Sequence, residues 1–200
     1  MELTLDMNKR YTYADYLTWL DDKRRELVNG FIHLMAAPRT AHEAVSISLT
    51  TDITNFIRKN NCKCRVFGAP FDVRLPQNGE RKDNEIYTVV QPDVCLVCDP
   101  SKLDVRGCLG APDLMVEILS PSSRRYDLDK KLHLYERSGV KEYWVISPET
   151  PDVNVFLPDE DGTYGDAVVY APIKGERMLI PVSVLPGLEI DTDLLFRDIL

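Results

Sequence analysis

The run Leu114-Met115-Val116-Glu117-Ile118-Leu119 most restricts what this chain can fold into. It is short, apolar at every position but one, and ended by Ser120-Pro121-Ser122. It therefore reads as a strand suited to burial on both faces. Glu117 contradicts that environment. A buried carboxylate is costly unless it meets a cation, a donor or a proton. The plain alternative is a glutamate on a solvated strand face.

The surrounding pattern gives the rest of the architecture. Thr12 to Leu20 has the spacing of a short amphipathic helix. Glu26 to Met35 reads as a β-hairpin, with Asn29-Gly30 supplying the two positive-φ residues of a type I′ turn. From Ala41 to Lys59, Val45, Leu49, Ile53, Phe56 and Ile57 form a helical stripe. Cys64 to Leu75 reads as a strand broken at Gly68-Ala69-Pro70, and Glu85 to Cys98 as a strand interrupted by Pro92. Asp99 to Gly110 reads as a connecting loop. Asp127 to Ser138 reads as a helix closed by Gly139, followed by a strand over Lys141 to Ser147. Val153 to Leu157 and Tyr164 to Tyr170 suggest an antiparallel pair, and Asp191 to Leu200 a closing helix.

No repeat, low-complexity tract or linker divides these elements. The expectation is one domain over residues 1–200, α/β (α+β) in class. Its core is a mixed sheet flanked by helices over about 41–147. An N-terminal helix and hairpin (11–36) and C-terminal strands and helix (152–200) are added to it. At 44% hydrophobic residues, 200 residues can bury a sizeable core. No apolar run has the length of a membrane span. Five cysteines, odd in number and without an export signal, suggest a reduced cytoplasmic chain with ordinary thiols. Cys95 and Cys98 fall three apart in a strand, on opposite faces, which argues against a shared zinc ion. The formal net charge of −8 argues against a general nucleic-acid coat protein.

A second acid changes the meaning of Glu117. Asp93 also enters a buried-looking strand, Asp93-Val94-Cys95-Leu96-Val97. Two strands with one embedded acid each can bring the carboxylates to adjacent positions, where a divalent cation converts repulsion into binding. All-oxygen ligation suits Mg²⁺ or Mn²⁺. On the following helix, Lys131 lies among Leu128, Leu132 and Tyr135 on the inward side, and Lys130 points to solvent. Two carboxylates and a lysine suit phosphodiester hydrolysis by a metal-activated water. No Ser-His-Asp or Cys-His pattern, phosphate-binding loop or dinucleotide fingerprint stands out.

Several strings carry a family resemblance: Gln91-Pro92-Asp93-Val94, Pro112 to Ser122, Asp127 to Tyr135, and Gly139-Val140-Lys141-Glu142-Tyr143-Trp144-Val145-Ile146. Arg25 to Gly30 and Pro38 to His42 add to it. Together they resemble the Uma-type restriction endonuclease family, a branch of the PD-(D/E)XK nuclease superfamily, over roughly residues 10 to 195.

The resemblance implies a core of helix, three antiparallel strands, helix and strand. It implies Asp93 and Glu117 as metal-binding acids and Mg²⁺ (or Mn²⁺) as cofactor. The superfamily lysine would stand at Leu119; the family is similar in moving it to the following helix, where Lys131 matches. Glu26 matches the acid of the opening strand and would assist catalysis. Gln91 is a candidate metal or phosphate contact through its amide, and His42 reads as an N-terminal helix residue or a phosphate contact. Arg24, Arg25, Arg39, Arg124 and Arg125 offer an approach for DNA, or are solvated charge. The function implied is a divalent-metal-dependent DNA endonuclease, as a homodimer. A catalytically inactive binding or regulatory module on the same fold, and a nuclease acting on RNA, are the alternatives.

Overall fold

In a computed structural model of the chain, residues 4–120, 130–173 and 176–199 are described below. The opening helix is a single turn, α1 (Tyr13–Tyr16), shorter than its spacing suggested. It begins where Thr12 and Asp15 form a reciprocal capping box. The Asn-Gly hairpin forms as read. Strands β1 (Arg25–Val28) and β2 (Phe31–Leu34) flank Asn29 at φ 52° and Gly30 at φ 87°. Helix α2 (Thr40–Lys59) buries Val45, Leu49 and Ile53, one residue per turn along its stripe. Glu43 in its first turn and Arg58 and Lys59 in its last complement the helix dipole.

The central sheet contains β3 (Arg65–Gly68), β6 (Val94–Val97), β9 (Leu114–Ile118), β10 (Glu142–Ser147), β11 (Asp152–Phe156) and β12 (Val168–Tyr170). Its spatial order is β12-β11-β10-β9-β6-β3. β3, β6 and β9 are mutually antiparallel; β10 runs parallel to β9 after the crossover that carries α3 (Leu132–Ser138). Gly139, at φ 80°, ends α3 in the left-handed conformation. Residues 127–129 of the expected helix lie outside the described residues.

Alternation along these strands builds two cores. Val94, Leu96, Leu114, Val116, Trp144 and Ile146 face α2 and the C-terminal segment. Cys95, Val97, Met115, Tyr143 and Val145 face α3 and the second sheet. That second sheet orders β2-β1-β5-β4-β8-β7, using β4 (Val73–Arg74), β5 (Val89–Val90), β7 (Leu103–Asp104) and β8 (Gly107–Leu109). Its last hairpin occupies a stretch that reads as loop, because neither strand is long enough to show alternation. The Asp104 side chain instead forms its turn by accepting from the Arg106 N–H. The pair β13 (Leu179–Pro181) and β14 (Glu189–Asp191) leads into α4 (Thr192–Leu195), capped by Asp191.

The cysteines differ from expectation. Cys64 and Cys98 form a disulfide; Cys62, Cys95 and Cys108 are free. The β3–β6 register pairs Arg65 with Val97, so the next residues out, Cys64 and Cys98, face each other. Cys95 lies on the opposite face, as its spacing requires. Among the described residues, no helix is long and apolar enough to cross a membrane.

Candidate active site

The two embedded acids meet because β6 and β9 pair. Val94 lies opposite Val116, and the next step in that antiparallel register sets Asp93 across from Glu117. Both line a cavity of about 380 Å³, together with Arg24, Glu26, His33, His42 and Lys131. Leu34 to Pro38, Ile118 and Ser120 complete its wall.

Each acid is held from a different element. Asp93 Oδ2 accepts the backbone N–H of Ile118 at 2.7 Å, and Oδ1 lies 3.1 Å from His42 Nε2 at the start of α2. Glu117 Oε1 accepts from Lys131 Nζ at 2.8 Å and from the Tyr135 hydroxyl at 2.6 Å. Glu26 Oε1 accepts from the same Lys131 Nζ at 3.0 Å and from the Gln91 N–H at 2.9 Å. Lys131 is 3% exposed, Glu26 2% and Glu117 4%, so an ammonium sits between two buried carboxylates. Burial pushes the Tyr135 hydroxyl far above its usual range, reinforced by the Glu117 and Glu26 charges; it donates rather than ionises. At His42 burial opposes the charge, but the bond to Asp93, the Asp93 charge and Glu43 outweigh it and raise the imidazole pKa.

The other sequence candidates separate. Gln91 sits behind Glu26 and bonds Arg24 through its side-chain carbonyl. Arg25 is buried, ion-paired to Asp21 through two bonds of 2.5 and 2.6 Å, and stacked over Trp19. Its charge is matched internally, which removes it from the approach surface. Arg39 is solvent-exposed beside Glu149 and does not line the cavity. Arg124 and Arg125 lie outside the described residues. The sequence reading missed His33, which faces Glu26 across the β1–β2 hairpin, and Asp72, which accepts from Gln91 and Tyr13. The hairpin register could have revealed the first. Nothing in Phe71-Asp72-Val73 marks the second.

Among the described residues no group of three His, Cys, Asp or Glu side chains has the geometry of a metal cage. Asp93 and Glu117 nevertheless offer hard oxygen donors on one cavity wall. Such a two-carboxylate set fits Mg²⁺ or Mn²⁺, because Mg²⁺ retains most of its waters when bound to protein. A carboxylate has about four lone-pair sites, so the hydrogen bonds described are compatible with an ion.

Three antiparallel strands, a crossover helix and a parallel fourth strand form a restriction-endonuclease-like core. The profile of the Uma2 family, described as "Putative restriction endonuclease", matches residues 13–193. The chain belongs to that family. It is 27% identical over 153 residues to "Uncharacterized protein slr1290" of Synechocystis sp., covering 75% of each chain. Its fold matches a crystal structure described as "a putative nuclease belonging to DUF820 from Anabaena variabilis ATCC 29413". That match has a TM-score of 0.74 and 20% identity, covering 95% of this chain and 99% of the other.

Proposed function

We propose that this protein is a divalent-metal-dependent endonuclease that hydrolyses DNA phosphodiester bonds at the cavity between Glu26, Asp93, Glu117 and Lys131. The observation that carries the reading is the Lys131 ammonium held at 2.8 Å from Glu117 and 3.0 Å from Glu26, beside a third acid, Asp93, on the neighbouring strand. Family membership supports it independently.

Asp93 and Glu117 would hold the metal, which supplies a water acidic enough to attack phosphorus at neutral pH and offsets charge on the phosphate. Lys131 orients the attacking water or donates to the phosphate oxygen on which charge grows. Glu26 keeps that ammonium in place. Tyr135 and His42 orient Glu117 and Asp93 by hydrogen bonding their carboxylates. No protein nucleophile is required.

The test is nicking of supercoiled plasmid by the purified chain with Mg²⁺, Mn²⁺ or EDTA, with a single-stranded RNA run in parallel. Plasmid nicking that depends on the metal and stops with EDTA is expected. Cleavage of the RNA alone would replace the substrate. No cleavage of either nucleic acid with either metal would overturn the proposal.

A further inference from the structure

We infer that Arg24 is the phosphate-binding residue of this cavity and that Gln91 and Asp72 aim it. The inference rests on the nucleic-acid reading above and deepens it.

Arg24 lines the cavity with the acids and Lys131. Its Nε and Nη2 each donate to Gln91 Oε1 at 3.2 Å. Gln91 is buried, and its Nε2 and backbone N–H are both engaged. Nε2 donates to Asp72 Oδ1 at 2.9 Å and to the Tyr16 hydroxyl at 3.2 Å, and the backbone N–H donates to Glu26. Tyr13 donates to the other Asp72 oxygen at 3.1 Å.

An ionised carboxylate only accepts hydrogen bonds, so Asp72 determines which end of the Gln91 amide carries nitrogen. The carbonyl end then faces Arg24. A reversed amide would set donors against the guanidinium and its carbonyl oxygen against the Asp72 carboxylate and the Tyr16 hydroxyl, whose proton goes to the Arg25 carbonyl. Gln91 also links Arg24 to Glu26, which holds Lys131, so the two cations are positioned through one residue.

The contrast with Arg25 shows what this arrangement is for. Arg25 is neutralised by Asp21 and buried. Arg24 is oriented by a neutral amide, and its Nη1 has no hydrogen-bond partner among the described residues. A fixed guanidinium with a donor edge left over matches phosphate oxygens, and it does so in a chain of formal net charge −8.

Binding of a fluorescein-labelled DNA duplex, followed by anisotropy across a salt series with Ca²⁺ in place of Mg²⁺, tests this. Arg24→Gln should weaken binding roughly tenfold or more. It should also lower the slope of log affinity against log salt by about one. Gln91→Met retains the Arg24 charge but removes its guide, so affinity should fall with the slope unchanged. At Arg24 a purely structural role would move melting temperature and leave the slope alone, and at Gln91 it would leave the affinity of the folded variant unchanged. Because Gln91 is buried, the half-buried Arg24 provides the decisive variant. Equal affinity and slope for wild type and Arg24→Gln would overturn the inference and leave the nuclease reading intact. The predicted losses in a wild type that binds but never cleaves would support the inference and overturn catalysis. A wild type that binds no duplex would overturn both.

Discussion

Lys131 Nζ donates to Glu117 Oε1 across 2.8 Å, joining the helical turn that enters α3 to the strand β9. Glu26 accepts from the same nitrogen, so one buried cation compensates two buried anions. Removing one partner of such a set leaves uncompensated charge. Lys131→Ala should therefore destabilise the protein by about 3–5 kcal/mol. Adding Glu26→Gln to that variant removes one stranded anion and should recover part of the loss. Urea midpoints of the single and double variants check this; a single variant as stable as wild type would contradict the buried triad.

Glycine at position 107 protects the support behind the cavity. Gly107 has φ 128°, and a Cβ there would overlap the Asp72 carbonyl oxygen, which accepts from the Cys108 N–H. Gly107→Ala should cost about 1–3 kcal/mol from backbone strain alone, with the overlap adding to it. Gly79 also has positive φ, but a Cβ there meets open space. Gly79→Ala should cost less. Thermal melts of the two variants measure the difference.

Two carboxylates should move stability in opposite directions as pH falls. Burial raises the Glu142 pKa above its ordinary value, although the Val184 N–H and the Trp144 indole N–H oppose the rise. Its proton binds the folded state more tightly. The resulting contribution is complete below the ordinary glutamate value and is lost as pH rises through the folded one. The Arg25 guanidinium holds Asp21 down at about 2, so its contribution is present above 3.8 and is lost as pH falls toward 2. The stability advantage of wild type over Glu142→Gln should grow from neutral pH toward pH 4.5. That of wild type over Asp21→Asn should shrink below about pH 4. Denaturation across pH with both variants tests the signs, and pH-independent differences would contradict them.

Without reductant, two of the five cysteines should resist thiol reagents even after unfolding. Cys62 is half-buried and should react in the native protein. Cys95 and Cys108 are buried, and burial raises both thiols, the latter to about 11. They should react only on unfolding. Cys64 and Cys98 should require reduction, which on the chain-entropy view lowers stability by about 3–4 kcal/mol for a loop of 34 residues. Mass spectrometry after native, denaturing and reducing labelling counts each group.

Much of this arrangement was legible in residue order, for local reasons. The Asn29-Gly30 turn fixes its own register and so places Glu26 opposite His33. Val45, Leu49 and Ile53 announce a helix, and Glu117 stands out because its neighbours are apolar. Asp93 was recognisable as an embedded acid, but the register that sets it against Glu117 depends on pairing between separated strands. Asp72, Tyr13 and Tyr16 converge on Gln91 through contacts of long sequence separation that leave no periodic trace. The disulfide was hidden for the same reason: only the β3–β6 register brings Cys64 to Cys98.

On the proposed function, Asp93, Glu117 and Lys131 form the metal-dependent cutting site. That assignment is tested most directly by the single-turnover plasmid-nicking rate at saturating Mn²⁺ for wild type, Asp93→Asn and Glu117→Gln, each checked for folding by its melting curve. Both substitutions keep side-chain size and remove the charge a cation needs. A folded Glu117→Gln protein should nick at least a hundredfold more slowly, as losing about 3 kcal/mol of transition-state stabilisation implies, with Asp93→Asn falling comparably. Nicking at the wild-type rate by both folded variants would contradict the assignment.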